Sequence, residues 1–174
     1  HGGNLKMSNK KFIESIPVGP LAIVALPGSK ALGDKVDAYI SGWRSERLEA
    51  KESPITFKGY VKDSYLLNVS VPRFGTGEAK CALKDTVRGC DLYIIDDVTN
   101  HSIEYTVCGQ KNHMSPDDHY ADIKRVIAAA SGKARKITVI MPFLYESRQH
   151  RRSSRESMDC AVMLQELVNM GVDN

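Results

Sequence analysis

The chain has 174 residues, of which 42% are hydrophobic and 26% are charged, and its formal net charge is +3. This length and composition are typical of one globular domain with a substantial core, and they argue against a disordered chain. The charge is too small and too evenly balanced to indicate a nucleic-acid partner. No apolar run reaches the roughly 20 residues of a membrane-spanning helix, and no signal-peptide pattern opens the sequence, so we expect a soluble, cytoplasmic protein without a membrane partner.

The four cysteines are far apart and form no CxxC pair. They are Cys81, Cys90, Cys108 and Cys160. This spacing favours free core thiols in a reducing compartment over a disulfide framework or a zinc site.

Residues 1–18 are expected to be a tag remnant and an N-terminal arm, and residues 19–174 to form one domain. The first strand is predicted at Gly19–Pro27, an apolar run ended by proline and glycine, as in a strand buried on both faces. A helix should follow with Ser29 as its N-cap. Its apolar stripe, expected to face the sheet, consists of Leu32, Val36, Tyr39, Ile40 and Trp43.

Short apolar runs predict three further strands, at Tyr65–Pro72, Ala79–Leu83 and Asp91–Ile95. Apolar and polar residues then alternate between Thr99 and Met114, with Cys108-Gly109 in the middle. This alternation around a glycine is typical of a β-hairpin, which we expect as an insertion ahead of the next helix.

A second helix has a clear start signal. Ser115 is suited to the N-cap, Pro116 to the first helical position, and Asp118 lies three residues after the cap. The helix should end at Gly132, and its inward residues are predicted to be Tyr120, Ile123, Val126, Ile127 and Ala130.

A buried strand is predicted at Lys136–Pro142 and a last helix at Ser157–Met170. The side of this helix that faces the core should carry Cys160, Met163, Leu164, Leu167 and Val168. The alternation of strands and helices predicts an α/β fold, with a mostly parallel sheet flanked by helices.

The segment Gly28–Lys35 is similar to a phosphate-binding loop of the form GxxxxGK[ST]. Asp34 stands where that loop needs a lysine for the terminal phosphates, and Lys35 stands where it needs a hydroxyl for magnesium. We therefore interpret the segment as an ordinary strand-to-helix turn.

Two further patterns carry chemistry only in part. Asp96-Asp97 ends a buried strand, as in the acid pair with which phosphoribosyltransferases hold ribose hydroxyls, but Thr99 is followed by Asn100 and not by the glycines of a phosphate cradle. A metal site is conceivable at His113, Asp117, Asp118 and His119. Helix capping explains the two acids more simply, and no metal site is predicted in this chain.

The segment after the Lys136–Pro142 strand carries four arginines: Arg148, Arg151, Arg152 and Arg155. One interpretation is a solvated basic surface whose arginines pair with neighbouring acids. The other is a polyphosphate site, because ligands of open α/β sheets bind beyond the carboxyl ends of the strands and a guanidinium offers a planar fork of donors to phosphate oxygens. The position of Arg148, beyond the carboxyl end of the Lys136–Pro142 strand, favours the second interpretation.

Three segments, taken together in chain order, carry a family resemblance. They are Arg73–Glu78, Val87–Gly89 ahead of the strand Asp91–Ile95, and Met141–Arg151. With this order and spacing the chain resembles the ribose-phosphate pyrophosphokinases, also called PRPP synthetases. The resemblance implies a phosphoribosyltransferase-like fold and the first of the two domains found in that family, so the C-terminal catalytic half is expected to be absent.

The resemblance also implies site residues. In the family an arginine-glutamine pair contacts ATP, which corresponds to Arg148 and Gln149, and a loop reaches the adenine of a neighbouring subunit. The residues of this chain that match the loop are Phe74, Thr76, Gly77 and Glu78. A regulatory site for phosphate or ADP is implied near Arg88, Arg151 and Arg152. Catalytic residues and metal ligands belong to the missing half.

The activity implied by the resemblance is transfer of pyrophosphate from MgATP to the C1 hydroxyl of ribose 5-phosphate. Mg²⁺ is expected with ATP, ribose 5-phosphate is expected to bind through the missing half, and the family assembles as hexamers. The fragment alone is expected to be inactive. Thr76 and His150 replace acids of the family pattern, so a non-catalytic regulatory partner similar to the PRPP synthetase-associated proteins stays an alternative.

Overall fold

The computed structural model describes residues 17–49 and 60–174. The expected N-terminal arm therefore lies outside the described residues, except for its last two positions. In chain order the strands are β1 (Leu21–Ala25), β2 (Val69–Ser70), β3 (Ala82–Leu83), β4 (Asp91–Ile95), β5 (Glu104–Val107), β6 (Gln110–His113) and β7 (Lys136–Ile140). The helices are α1 (Lys30–Glu49), α2 (Pro116–Ala130) and α3 (Asp159–Asn169).

A parallel three-stranded sheet forms the centre of the fold, in the order β1-β4-β7. Leu21 lies opposite Asp91, and Asp91 opposite Lys136, so the carboxyl ends of all three strands meet at one edge. The predicted mostly parallel sheet is thus confirmed, and so is the hairpin, formed by the antiparallel pair β5 and β6.

Both faces of the sheet are covered because its strands are apolar on both sides. On one face Val24, Leu92 and Ile94 pack in a large core with residues of α2 and α3. On the other face Ile23 and Ile95 pack with a smaller set that includes residues of α1. Alternate residues of β1 therefore contact different helices, as the twofold periodicity of a strand requires.

The predicted orientation of α1 is wrong. Tyr39 and Trp43 are 66% and 60% exposed, and Leu32 is also exposed. Asp37 is buried instead, because its carboxylate accepts hydrogen bonds from Tyr65 N (2.6 Å) and from the hydroxyl of Ser64 (2.8 Å). These polar contacts turn the helix so that only part of the apolar stripe faces the sheet.

The predicted N-cap at Ser29 is also wrong. Ser29 lies in a short 3-10 turn at Pro27–Ser29, ahead of α1. Its hydroxyl is buried and has no hydrogen-bond partner within the described residues. By contrast, the predicted start of α2 is confirmed: the Ser115 hydroxyl accepts from Asp118 N (3.1 Å), and the Asp118 carboxylate accepts from Ser115 N (2.9 Å).

The remaining differences concern the extent of elements. The predicted strands Tyr65–Pro72 and Ala79–Leu83 shrink to the two-residue strands β2 and β3. In α3, Met163 and Leu167 are buried as predicted, whereas the predicted inward residues Leu164 and Val168 are 47% and 62% exposed. A helix that packs on a sheet along a single line buries a narrower stripe than the sequence pattern indicated.

Within residues 17–49 and 60–174, none of the helices combines the length and apolar character needed to cross a lipid bilayer. The four cysteines are all free thiols, as predicted.

Candidate functional site

An open cleft of about 540 Å³ lies at the carboxyl edge of the sheet. Its wall is built by the segment after β4, the first residue of α2 and the segment after β7. The lining residues are Val98, Thr99, His101, Pro116, Phe143, Tyr145, Glu146, Ser147 and Arg148. This is the edge at which ligands of open α/β sheets bind.

Tyr145 connects the segment after β7 to α2. The Tyr145 ring stacks on Tyr120 with centroids 4.5 Å apart and planes 9° from parallel. Its hydroxyl donates to Asp117 Oδ1 (2.6 Å). Burial, together with this hydrogen bond, raises the pKa of Tyr145 above its ordinary value, so the phenol keeps the proton that it donates. These contacts hold the backbone three residues before Arg148.

Arg148 is exposed at the cleft. The turn that presents it has Glu146 in the left-handed region (φ 56°), and Gln149 N donates to Glu146 O (2.9 Å). Within the described residues the Arg148 guanidinium makes no ion pair. The same is true of Arg151, Arg152 and Arg155, so the ion pairs expected of a merely solvated basic surface do not form in the part of the chain that the structure describes.

Gln149 lies beside the cleft wall and is not among its lining residues. Its carbonyl accepts from Cys160 N (3.3 Å). This hydrogen bond joins the segment after β7 to the start of α3. Arg151 and Arg152 lie on the exposed segment between these two points. The structure therefore brings Arg148 into the cleft and leaves Arg151 and Arg152 on the surface beside it.

A buried ion pair lies behind the cleft wall and was missed by sequence reasoning. His119 Nδ1 is 2.9 Å from Asp96 Oδ2, and His119 Nε2 is 3.0 Å from Asn100 O. Both neighbours are hydrogen-bond acceptors, so the imidazole satisfies both only when both of its nitrogens carry protons. Burial alone lowers the pKa of His119, but the hydrogen bond and the charge of Asp96 outweigh burial and raise it. His119 is therefore held as a cation in the interior.

Gly28 is the residue that lets the β1–α1 turn pack on this pair. A Cβ at Gly28 would lie 2.5 Å from Asp96 Oδ1 and 2.8 Å from His119 Cε1. The Gly28 carbonyl also accepts from the Asn100 side chain (2.8 Å). The glycine that opens the apparent phosphate loop thus serves close packing, which agrees with the predicted strand-to-helix turn.

The two acids after β4 both have hydrogen-bond partners within this chain, Asp96 in the interior and Asp97 near the surface. Asp96 pairs with His119, and Asp97 Oδ1 accepts from Thr99 N (3.0 Å) and from the Thr99 hydroxyl (2.7 Å). Across residues 17–49 and 60–174, no group of three or more His, Cys, Asp or Glu side chains is placed to hold a metal ion.

The Phe74–Glu78 loop is a tight turn away from the cleft. Phe74 N donates to Glu78 O (2.7 Å), Gly77 N donates to Phe74 O (2.9 Å), and Gly77 has a φ of 94° that favours glycine. The Phe74 ring is 50% exposed, and the Thr76 hydroxyl donates to the Glu78 carboxylate (2.9 Å). The loop contributes no lining residue to the cleft that holds Arg148.

Arg88 lies at the opposite edge of the sheet. It is exposed in the turn before β4, where Gly89 N donates to Lys133 O (2.9 Å) in the turn before β7. Arg151 and Arg152 follow the carboxyl end of β7. The three arginines predicted to share a regulatory site are therefore not together within one chain.

Comparisons with known proteins agree on one family. Residues 21–171 match the family model described as the N-terminal domain of ribose phosphate pyrophosphokinase. A ribose-phosphate pyrophosphokinase of Haemophilus ducreyi is 32% identical over 108 residues, which is 61% of this chain and 30% of that protein. Another, from Schizosaccharomyces pombe, is 32% identical over 82 residues, 47% of this chain and 20% of that protein.

A solved structure shows the same fold. The crystal structure of phosphoribosylpyrophosphate synthetase from Mycobacterium smegmatis matches with a TM-score of 0.59 and 21% identity, over 88% of this chain and 40% of that one. This likeness confirms the predicted α/β, phosphoribosyltransferase-like fold. The present chain thus corresponds to less than half of the relatives that it matches. With residues 21–171 covered by the family model, the chain belongs to the family of N-terminal domains of ribose phosphate pyrophosphokinases.

Proposed function

We propose that this chain supplies the nucleotide side of a ribose-phosphate pyrophosphokinase, which transfers pyrophosphate from MgATP to the C1 hydroxyl of ribose 5-phosphate. The observation that carries the proposal is the Arg148 guanidinium, which lines the cleft at the carboxyl edge and makes no ion pair within the described residues. The catalytic groups and the ribose 5-phosphate site are assigned to the half of the protein that this chain does not include.

The chemistry of Arg148 suits the polyphosphate tail of ATP. A guanidinium presents parallel N–H donors that match two phosphate oxygens, and it stays charged at all physiological pH values. An unpaired guanidinium also has no internal partner to give up when the ligand arrives. Each charged hydrogen bond to phosphate contributes about 1.5–3 kcal/mol. Gln149, next in the chain, is assigned to further amide contacts with the nucleotide beside the cleft wall.

The described residues do not supply a magnesium site, since none of their acidic and histidine side chains form a suitable group. Mg²⁺ is assigned to the triphosphate and, as the family resemblance implies, to groups of the C-terminal half. Asp96 is unsuited to a ligand role because it is fully buried against His119.

The Phe74–Glu78 loop is assigned to the adenine of ATP bound by another copy of the chain. Its aromatic ring is half exposed and ready to stack on a base, and its glutamate can accept from the exocyclic amine of adenine. The loop does not line the cleft of its own chain, which favours a role across a subunit interface. A homo-oligomer, with the hexamer expected from the family, provides that interface.

The regulatory site is proposed on the same basis. Arg88 lies at the amino edge of the sheet, whereas Arg151 and Arg152 lie beyond its carboxyl edge. A phosphate or ADP site that uses all three must combine arginines from two copies. This proposal depends on the same homo-oligomer as the adenine loop.

The test uses the full-length protein and titration with MgATP. Arg148→Ala should raise the Kd for ATP about 10- to 100-fold, which corresponds to the loss of one charged phosphate contact. The matched control is Arg135→Ala. Arg135 is exposed and comes just before β7, at the end of that strand opposite to the cleft. An unchanged Kd for Arg148→Ala, or an equal loss in the control, contradicts the proposal.

A coupled assay with ATP and ribose 5-phosphate separates the enzyme from a regulatory partner. Formation of the pyrophosphorylated sugar by the purified full-length protein is expected. Binding of ATP without product would instead favour the non-catalytic role. The curated relatives named above are all described as pyrophosphokinases, which favours the enzyme.

A further inference from the structure

We propose that Arg73 is a positioning residue, which fixes the Phe74–Glu78 loop so that Phe74 can meet the adenine ring. The inference rests on the proposed function, because it concerns the loop assigned there to adenine. It adds a residue that touches no nucleotide and acts through the loop. The observations that carry it are the contacts of the Arg73 guanidinium, which join three parts of the fold.

The first contact is an ion pair in the interior. Arg73 Nη2 is 2.7 Å from Asp122 Oδ2, and the two side chains are only 10% and 3% exposed. Asp122 lies on α2, and it also accepts from Arg125 of the same helix (2.6 Å). The carboxylate is thus held between two guanidiniums, one from its own helix and one from the residue before the loop.

The second contact joins Arg73 to the hairpin. Its guanidinium carbon lies 4.8 Å above the centre of the Tyr105 ring on β5. Tyr105 is fixed in turn, because its hydroxyl donates to Asp118 Oδ2 (3.1 Å) at the start of α2. A cation over the face of an aromatic ring is attracted by the ring and restricts its own orientation.

The third contact reaches the loop itself. Arg73 Nη1 donates to Gly77 O (3.5 Å), at the far side of the turn that begins at Phe74. The hairpin holds the same turn from outside, since Cys108 N donates to Gly75 O (2.9 Å). A Cβ at Gly77 would lie 3.1 Å from the Val107 side chain, so loop and hairpin are in close contact. The turn that carries Phe74 is therefore held by Arg73 on one side and by the hairpin on the other.

A buried ion pair is a weak source of stability, because desolvation of the two charges offsets their attraction. Burial raises the pKa of Asp122, although the charges of Arg73 and Arg125 act in the opposite direction, as expected when desolvation of the carboxylate is costly. A site of this kind is better explained by geometry, since the planar guanidinium fixes three directions at once: toward Asp122, Tyr105 and Gly77. An ammonium group on a flexible stem cannot satisfy all three.

The experiment measures binding of MgATP and of magnesium tripolyphosphate to the full-length protein. Tripolyphosphate has the phosphates of ATP and lacks the base, so the ratio of the two affinities reports base recognition. Arg73→Met should lower this ratio on the order of 10-fold, as expected when a supporting residue of a site is lost, while tripolyphosphate affinity stays within about twofold. Arg73→Lys keeps the charge and should still lower the ratio.

Two further variants make the result decisive. Arg125→Met is the matched control: it removes the other guanidinium from Asp122 without any contact to the loop, and its ratio should equal that of the wild type. Phe74→Ala calibrates the measurement by removing the stacking ring. If Phe74→Ala lowers the ratio and Arg73→Met does not, the inference is overturned and the proposed function stands.

Equal losses in Arg73→Met and Arg125→Met overturn the inference, because general damage to the interior then explains both. If Phe74→Ala leaves the ratio unchanged, the loop does not meet the base, and both the inference and the adenine assignment fail. If Arg73→Met does not fold, Arg73→Lys decides, and a wild-type ratio in that variant overturns the inference.

Discussion

Replacement of His119 by leucine removes the cation from the interior and leaves the Asp96 carboxylate without a counter-charge. Both side chains are fully buried, and Asp96 Oδ1 already has no hydrogen-bond partner within the described residues. Removing one partner of such a pair costs about 3–5 kcal/mol. We expect His119→Leu to lower the free energy of unfolding by this amount at pH 6. Urea denaturation followed by far-ultraviolet circular dichroism measures it.

The effect should depend on pH in a defined direction. The folded-state pKa of His119 is raised above its ordinary value of 6.5, so between the two values the folded protein binds more protons than the unfolded chain. The contribution of the pair is then complete below pH 6.5 and falls as the pH rises through the folded-state pKa. The wild type should lose about 1.4 kcal/mol per pH unit in this window from His119 alone. His119→Leu should lack this component.

The matched control is His113→Leu, because His113 is a histidine with an exposed side chain. Its free energy of unfolding should stay within about 0.5 kcal/mol of the wild type. A loss below about 1 kcal/mol for His119→Leu at pH 6 would refute the buried pair. So would identical pH slopes for the wild type and His119→Leu above pH 6.5.

Gly28 in the β1–α1 turn and Ser115 at the start of α2 each support a local structure whose loss should lower the melting temperature. Gly28→Ala should lower the free energy of unfolding by about 1–3 kcal/mol, because its Cβ would lie inside contact distance of Asp96 and His119. The control is Gly42→Ala on α1, whose Cβ would have no neighbour within 4 Å. This variant should be neutral or stabilising by up to about 1 kcal/mol. Thermal melts of the two variants compare them directly, and equal melting temperatures contradict the packing role. Ser115→Ala removes the observed cap of α2 and should cost about 0.5–2 kcal/mol in the same assay, while an unchanged melting temperature counts against the cap.

Elements with strong local signals were predictable from the sequence. The strands β1, β4 and β7 are short continuous apolar runs, and α2 begins at the Ser115-Pro116 signal, where both halves of the capping interaction come from residues three positions apart. Because the chain leaves β7 at its carboxyl end, the sequence also predicted that Arg148 lies at the carboxyl edge of the sheet, where the structure has it. Such features depend on neighbouring residues and on the direction of one strand.

Features that depend on distant residues were not predictable in this way. Asp37 turns α1 through hydrogen bonds to a segment 27 and 28 residues away in sequence, and no helical periodicity reports that contact. Asp96 and His119 are 23 residues apart, and each by itself suggested a ligand site. The ion pair between them forms only when α2 packs against the end of β4, so neither residue shows it in the sequence.

The pair of Asp96 and His119 also bears on the field that an approaching anion experiences. Asp96 lies two residues before Val98 in the cleft wall, and an uncompensated carboxylate there would repel any polyphosphate through a poorly screening interior. The imidazolium offsets that repulsion from behind, and the charged side chains left to act on an anion at the opening include Arg148 and Glu146, which both line the cleft. When the imidazolium loses its proton in alkaline solution, the repulsion returns. Affinity for a polyphosphate should then fall together with the free energy of unfolding.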